Sequence, residues 1–211
     1  MRNIKKGAEP ASLARHRLAQ PSDFDNYPDK ATLRQSLVRE QRGLCCYCLA
    51  RIKPEPNAMK IEHWHSQDAH TGERLDYRNF LASCPGNEGQ PRDLQHCDTR
   101  KGNDDLSRNP ADPLHDIESI IHFYTDGTIY ATDPVFDREI NAVLNLNIAF
   151  LKDNRKSALD AFKITLTKRG KMGRSTLQRL LRKWDGEADG DVLYPYCQVI
   201  VYWLRKRLAR P

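Results

Sequence analysis

Residues 44 to 104 of this 211-residue chain hold five of its six cysteines and four of its seven histidines, so its chemistry is expected there. Cys45 and Cys48 have the two-residue gap that lets a tight turn point two thiolates at one ion. Cys84 and Cys97 form a second pair, separated by 12 residues that include Pro85, Gly86, Gly89 and Pro91, so this half can close only through an inserted loop. Four thiolates around zinc make a closed tetrahedral site of the structural kind, supplying folding free energy to a segment too polar to build its own core. Cys46 is then the spare thiol, and His96 is the rival fourth ligand.

Between and around the cysteine pairs lie Met59-Lys60-Ile61-Glu62-His63-Trp64-His65-Ser66, Tyr77-Arg78-Asn79-Phe80-Leu81-Ala82-Ser83 and His96-Cys97-Asp98-Thr99-Arg100-Lys101-Gly102-Asn103. This order of a carboxylate-histidine pair, an asparagine and a Cys-Asp-x-x-Lys-Gly segment resembles the ββα-metal core of HNH nucleases. Within that superfamily it is similar to the PtuB proteins of Septu and retron anti-phage systems, which act beside an ATPase, PtuA. The likeness extends more weakly to Met1-Arg2-Asn3-Ile4 and Leu144-Asn145-Leu146-Asn147.

Phosphodiester hydrolysis needs a base for water, a cation to neutralise the phosphate and help for the leaving oxygen. His63 suits the base, because an imidazole titrating near neutral pH takes a proton without being permanently charged. Glu62 suits a hard catalytic ion, magnesium or manganese. The resemblance implies that Asn79 orients the base and that Asp98 is the second ligand to the catalytic ion, at a place where the family usually has histidine or asparagine. Glu62 where aspartate is common, and Ser66 where proline often follows, are further departures. Adjacent residues of a strand face opposite ways, so Glu62 and His63 can share a site only at a strand's end or on distorted backbone. His65, Arg100 and Lys101 are candidate nucleic-acid contacts, and Arg78 is less determined. Each residue also has an ordinary role: Glu62 and His63 as surface polar groups, Asn79 capping a turn, Asp98 capping the following helix.

Stepping outward, residues 1–28 are polar and proline-marked and read as an arm. Asp29 caps an expected helix from Lys30 to Arg42, with Leu33, Leu37 and Val38 on one stripe and Gly43 as its stop. Asp126-Gly127 between apolar runs signals a hairpin. From Asp137 onward the apolar spacing becomes helical: Ile140 to Leu146, Leu151 to Leu166, Leu177 to Leu181 and Val199 to Leu208. Gly170 and Gly173 separate the second of these helices from the third, and Asp185 to Asp191 the third from the fourth. The expected fold is α+β: a ββα-metal core with a four-cysteine zinc knuckle over 29–112, then a β-hairpin and helical bundle over 113–211.

A net charge of +6 and a pI near 9.0 suit a polyanionic partner such as DNA, or an acidic protein face. Basic clusters at Lys168-Arg169-Gly170-Lys171, Arg174, Arg179, Arg182-Lys183 and Arg205-Lys206-Arg207 fit a nucleic-acid backbone, a solvated helix face or a docking surface for the ATPase equally well. No apolar run reaches the roughly 18 residues that span a bilayer, no signal sequence opens the chain, and a cytoplasmic protein is expected. The leading expectation is an endonuclease with structural zinc and catalytic magnesium or manganese. The rival is a zinc-stabilised nucleic-acid-binding or assembly subunit without cleavage.

Overall fold

The computed structural model describes residues 1–167, 172–186 and 192–210. It is a mixed α+β structure in which two small antiparallel hairpins lie among helices. Helix α1 (Ala11–Leu18) precedes α2 (Lys30–Glu40). Asp29 caps α2 as expected, its Oδ1 accepting from Thr32 N at 3.2 Å. The helix stops two residues early, and the chain turns at Gly43, whose φ of +76° is a conformation that glycine adopts without steric cost. Leu33 and Leu37 are buried, which sets the face that α2 turns to the core.

Strands β1 (Lys60–His63) and β2 (Phe80–Ser83) pair antiparallel, with Glu62 opposite Leu81 and His63 opposite Phe80. Every residue of β2 is buried. Its edge is clasped by the Gln41 side chain, which donates to Ala82 O at 2.7 Å and accepts from Ala82 N at 2.6 Å. The Cys46 amide donates to the same carbonyl at 3.0 Å, so the cysteine turn and α2 are fastened to one strand. The short helix α3 (Cys97–Lys101) follows.

Residues 1–28, read from sequence as an arm, contribute side chains to the core. Met1, Leu13 and Tyr27 are buried in the same core as Leu33, Phe80 and Leu81, because the apolar residues of this polar-looking stretch fall where they can pack on the first hairpin. Lys6 donates to Phe80 O at 2.9 Å and pairs with Glu40 at 3.0 Å, which ties the segment to β2 and α2 together.

In the second half, Ile117–Ile120 forms one helical turn, α4, ahead of the hairpin β3 (Ile121–Phe123) and β4 (Ile129–Ala131), which closes through Asp126-Gly127. Four helices follow: α5 (Pro134–Ala142), α6 (Ala149–Thr167), α7 (Arg174–Asp185) and α8 (Cys197–Leu208). Leu144 and Leu146 lie beyond α5 but are fully buried. Their segment joins the two halves: Leu144 O accepts from Cys97 N at 2.9 Å, and Asn147 Oδ1 accepts from Ile129 N at 2.9 Å. Gly173 precedes α7 as expected, whereas Gly170, the Lys168-Arg169-Gly170-Lys171 cluster and positions 187–191 of the acidic separator lie outside the described residues. Among the described residues no helix is long and apolar enough to cross a membrane.

Candidate active site

The Cys45–Cys48 turn is built by Cys45 N donating to Ala50 O at 2.9 Å and Leu49 N to Cys45 O at 3.2 Å, with Leu49 at a φ of +66°. The second pair is closed at Gly86, where a β-carbon would stand 2.1 Å from His96 O. Only glycine permits that approach, and His96 N returns a hydrogen bond to Gly86 O at 3.0 Å. Cys97 itself takes a φ of +55°, a strained value for a non-glycine residue that aims its sulfur inward.

The four sulfurs of Cys45, Cys48, Cys84 and Cys97 consequently lie within 4.8 Å of one another, all buried. Cys45 and Cys97 are 3.9 Å apart and Cys48 and Cys84 3.7 Å, close to the ~3.8 Å edge of a tetrahedron with zinc–sulfur bonds of about 2.3 Å. This donor set can hold one zinc ion. Burial opposes the Cys45 thiolate, but hydrogen bonds from Cys46, Cys48, Cys84 and Cys97 outweigh it and hold this thiol well below the usual range. Cys46 is outside the cluster, and burial beside Cys45 pushes its thiol well up. His96 Nδ1 is 3.1 Å from Cys97 Sγ and 4.0 Å from Cys84 Sγ, which suits hydrogen bonding to the sulfurs from outside the cage.

Glu62 and Asp98 are brought together. Glu62 is almost wholly buried, and its Oε1 takes a hydrogen bond from Tyr47 Oη at 2.7 Å and an ion pair from Lys101 Nζ at 3.0 Å. Burial, then the charge of Asp98 and a hydrogen bond with it, push the Glu62 carboxyl well above the usual range against the pull of Lys101 and Tyr47. Two carboxyls so placed call for a shared proton or cation. The Asp98 side chain does not cap α3: besides Glu62 it has Lys60 Nζ at 3.8 Å from its Oδ2.

His63 lies on the other face of β1. Its ring is edge-on to Phe24 at 4.6 Å and Phe80 at 4.7 Å, and its Nε2 is 3.1 Å from Arg74 O. A carbonyl only accepts, so Nε2 carries the proton and Nδ1 the lone pair of the neutral ring. Burial lowers the His63 pKa to about 4, against upward pulls from the Arg74 carbonyl and from the Asp98 charge. Strand alternation thus keeps the imidazole out of any set of ligand atoms with Glu62 and Asp98 within 4.8 Å among the described residues. Asn79 does not take the expected place against that ring either. Its buried amide grips backbone, accepting from His65 N at 2.7 Å and donating to His65 O at 3.0 Å and Glu73 O at 3.3 Å.

Lys101, expected as a nucleic-acid contact, is fully buried, pairs with Glu62 and donates to His63 O at 3.0 Å. Arg100 is half-buried and donates to Arg92 O at 2.7 Å, His65 pairs with Glu73, and Arg78 is exposed. In the basic tail Arg205 is engaged internally, with Glu118 at 2.9 Å and Asp185 at 2.8 Å. Sequence reading missed Tyr47, Phe24 and Arg74 around the cluster, and missed His70, Glu73 and Asp105. A scan of residues 63 to 105 for histidine–acid spacing would have raised the last three; nothing in the sequence singles out Phe24.

No protein family matches the chain. It is similar to the Septu protein PtuB of Bacillus thuringiensis, 23% identical over 114 residues. The match covers 52% of this chain and 40% of that protein, so it spans less than half of the relative's length, and it supports kinship with Septu-related proteins.

Proposed function

We propose that the chain is a metal-dependent endonuclease of the HNH type, hydrolysing phosphodiester bonds of DNA as the effector of a Septu-type anti-phage complex with an ATPase partner. The observation that carries this reading is the pairing of Glu62 on β1 with Asp98 on α3, with His63 on the opposite face of the same strand, on a hairpin and helix pinned by four cysteines. The likeness to a Septu protein supports the defence role and the partner.

His63 stays neutral at physiological pH, held through Nε2–H by the Arg74 carbonyl. Its Nδ1 lone pair accepts the proton of the attacking water. Glu62 and Asp98 would hold the magnesium or manganese ion, which when bound neutralises phosphate charge and assists the leaving oxygen. Lys101 offsets the Glu62 charge and, through His63 O, ties α3 to the end of β1, so the two acidic groups and the imidazole keep their relative places. Asn79 fixes the loop that carries Arg74, and thereby His63, from the backbone side. Arg78 and Arg100 flank the hairpin as contacts for the nucleic-acid backbone.

A second reading is favoured by Lys101, which already gives Glu62 a cation, and by the aromatic cover over His63: a zinc-stabilised subunit that binds nucleic acid or assembles without cutting. Cleavage decides between the two. Zinc-loaded chain, alone and with its ATPase, is expected to nick or cut plasmid DNA when magnesium or manganese is added and not when both are omitted. Intact DNA under every one of these conditions leaves only the second reading.

A further inference from the structure

His65, His70 and Glu73 converge on the surface of the loop between β1 and β2, each offering a donor atom within 4.8 Å of the others. His65 Nδ1 is 2.7 Å from Glu73 Oε2, and His70 Nε2 is 2.8 Å from Asp105 Oδ2. The two imidazoles stack, with ring centroids 4.2 Å apart and planes 16° from parallel. The backbone beneath them is held by the buried Asn79 amide, which binds His65 at both N and O and Glu73 at O. That clasp sets the spacing of two of the three donors.

We infer that His65, His70 and Glu73 bind a second transition-metal ion of the zinc class, distinct from the one that suits the cysteines. A neutral imidazole donates one N–H to a carboxylate and keeps a lone pair on its other nitrogen, so the contacts of His65 with Glu73 and of His70 with Asp105 leave a lone pair on each ring for an ion. Two imidazoles and one carboxylate, with a fourth position open to water, are the donor set of zinc sites that exchange a ligand, and the nitrogens favour zinc over magnesium. Asp105 supplies the carboxylate that such sites place behind a ligating histidine: accepting from Nε2–H, it leaves the His70 Nδ1 lone pair for the ion. Because the rings are stacked, one of them turns on its side-chain torsions for both lone pairs to meet one ion; the His65 ring is held between Trp64 and His70, so the turn falls to the part-exposed His70. An ion at His65 Nδ1 takes the place of the hydrogen donated to Glu73, and the ring stays neutral by carrying its proton on Nε2 instead.

The site adjoins His63. Glu73 precedes Arg74, whose carbonyl accepts from the His63 ring, so a ligated Glu73 stiffens the support of that imidazole. The metal assignment itself stands whether or not the chain cuts nucleic acid.

The 211-residue chain, with zinc already in its cysteine cage, is dialysed to equilibrium against micromolar ZnCl2 and its metal content measured by plasma mass spectrometry. Wild type is expected to hold two equivalents, and His70→Ala and Glu73→Gln one. Retention of that one equivalent shows that each variant has folded. His122→Ala, at a part-exposed histidine of the second hairpin, is expected to keep two. Asp105→Asn is expected to weaken the second equivalent by roughly tenfold or more. With cobalt(II) as the second ion, weak visible bands should appear without new sulfur-to-metal absorption. A wild-type chain that stops at one equivalent, or a second equivalent that survives both His70→Ala and Glu73→Gln, overturns the assignment.

Discussion

Cys45 and Cys97 are 52 residues apart in the chain and 3.9 Å apart at sulfur, whereas Glu62 and His63 are neighbours in the chain and face opposite sides of β1. In the cysteine cluster, turns at Leu49, Gly86 and Cys97 bend distant backbone until the sulfurs meet. In the carboxylate–imidazole region, regular strand geometry separates residues that sequence puts together, and each finds its own surroundings: Tyr47, Lys101 and Asp98 for Glu62, Phe24, Phe80 and Arg74 O for His63. A motif therefore specifies a site only together with the backbone that carries it. The cysteine half is a ready cage. The other half is two coupled halves of a site, with α3 and the loop at Arg74 as the links.

The comparison breaks first, and most severely, at the cage. Cys97→Ser is expected to lose the zinc ion and unfold the first half, since structural zinc contributes about 10–16 kcal/mol in small zinc domains. Zinc content and far-ultraviolet circular dichroism read this, and unchanged zinc would mean that His96 or Cys46 completes the site instead.

A smaller break is expected at Lys101. Lys101→Met leaves the buried Glu62 without its cation and is expected to cost about 3–5 kcal/mol in urea unfolding at neutral pH. Adding Glu62→Gln should restore most of that loss, because an apolar–amide pair buries no charge. No recovery in the double variant would show that Lys101 acts through packing alone.

The His63 side sharpens the contrast through pH. Its folded pKa of about 4 lies below the ordinary 6.5, so the unfolded chain binds the proton more readily. The stability due to the neutral ring is fully present above pH 6.5 and is lost as pH falls toward 4, a span worth about 3 kcal/mol. The difference in urea stability between wild type and His63→Gln should shrink by that amount between pH 7 and pH 4. Phe24→Ala, by admitting water to the ring, should move the His63 titration seen by NMR back toward 6.5.

Much of this was legible in the sequence where the physics is local. Spacing gave the cysteine cage, Asp29 and Gly43 gave the limits of α2 to within two residues, Asp126-Gly127 gave the second hairpin, and periodicity gave the last three helices, whereas of the large apolar residues from Ile140 to Leu146 only Ile140 lies within α5. What was hidden depends on tertiary partners. Lysine is a residue that solvent usually claims, and Lys101 is buried only because Glu62 waits across the fold. Asn79 looks like a companion of the base, yet its hydrogen bonds go to the loop of His65 and Glu73. The leading residues read as polar because Met1, Leu13 and Tyr27 are widely spaced, and only the finished core shows that they share it.

The most direct test of the nuclease reading is the DNA-cleavage rate of His63→Ala against wild type, at matched zinc content and with the ATPase present in both reactions. The rate is expected to fall by about 10²- to 10⁴-fold, the usual contribution of a positioned base, while the zinc is retained. Equal rates in the two proteins would contradict the account by removing the imidazole from the chemistry.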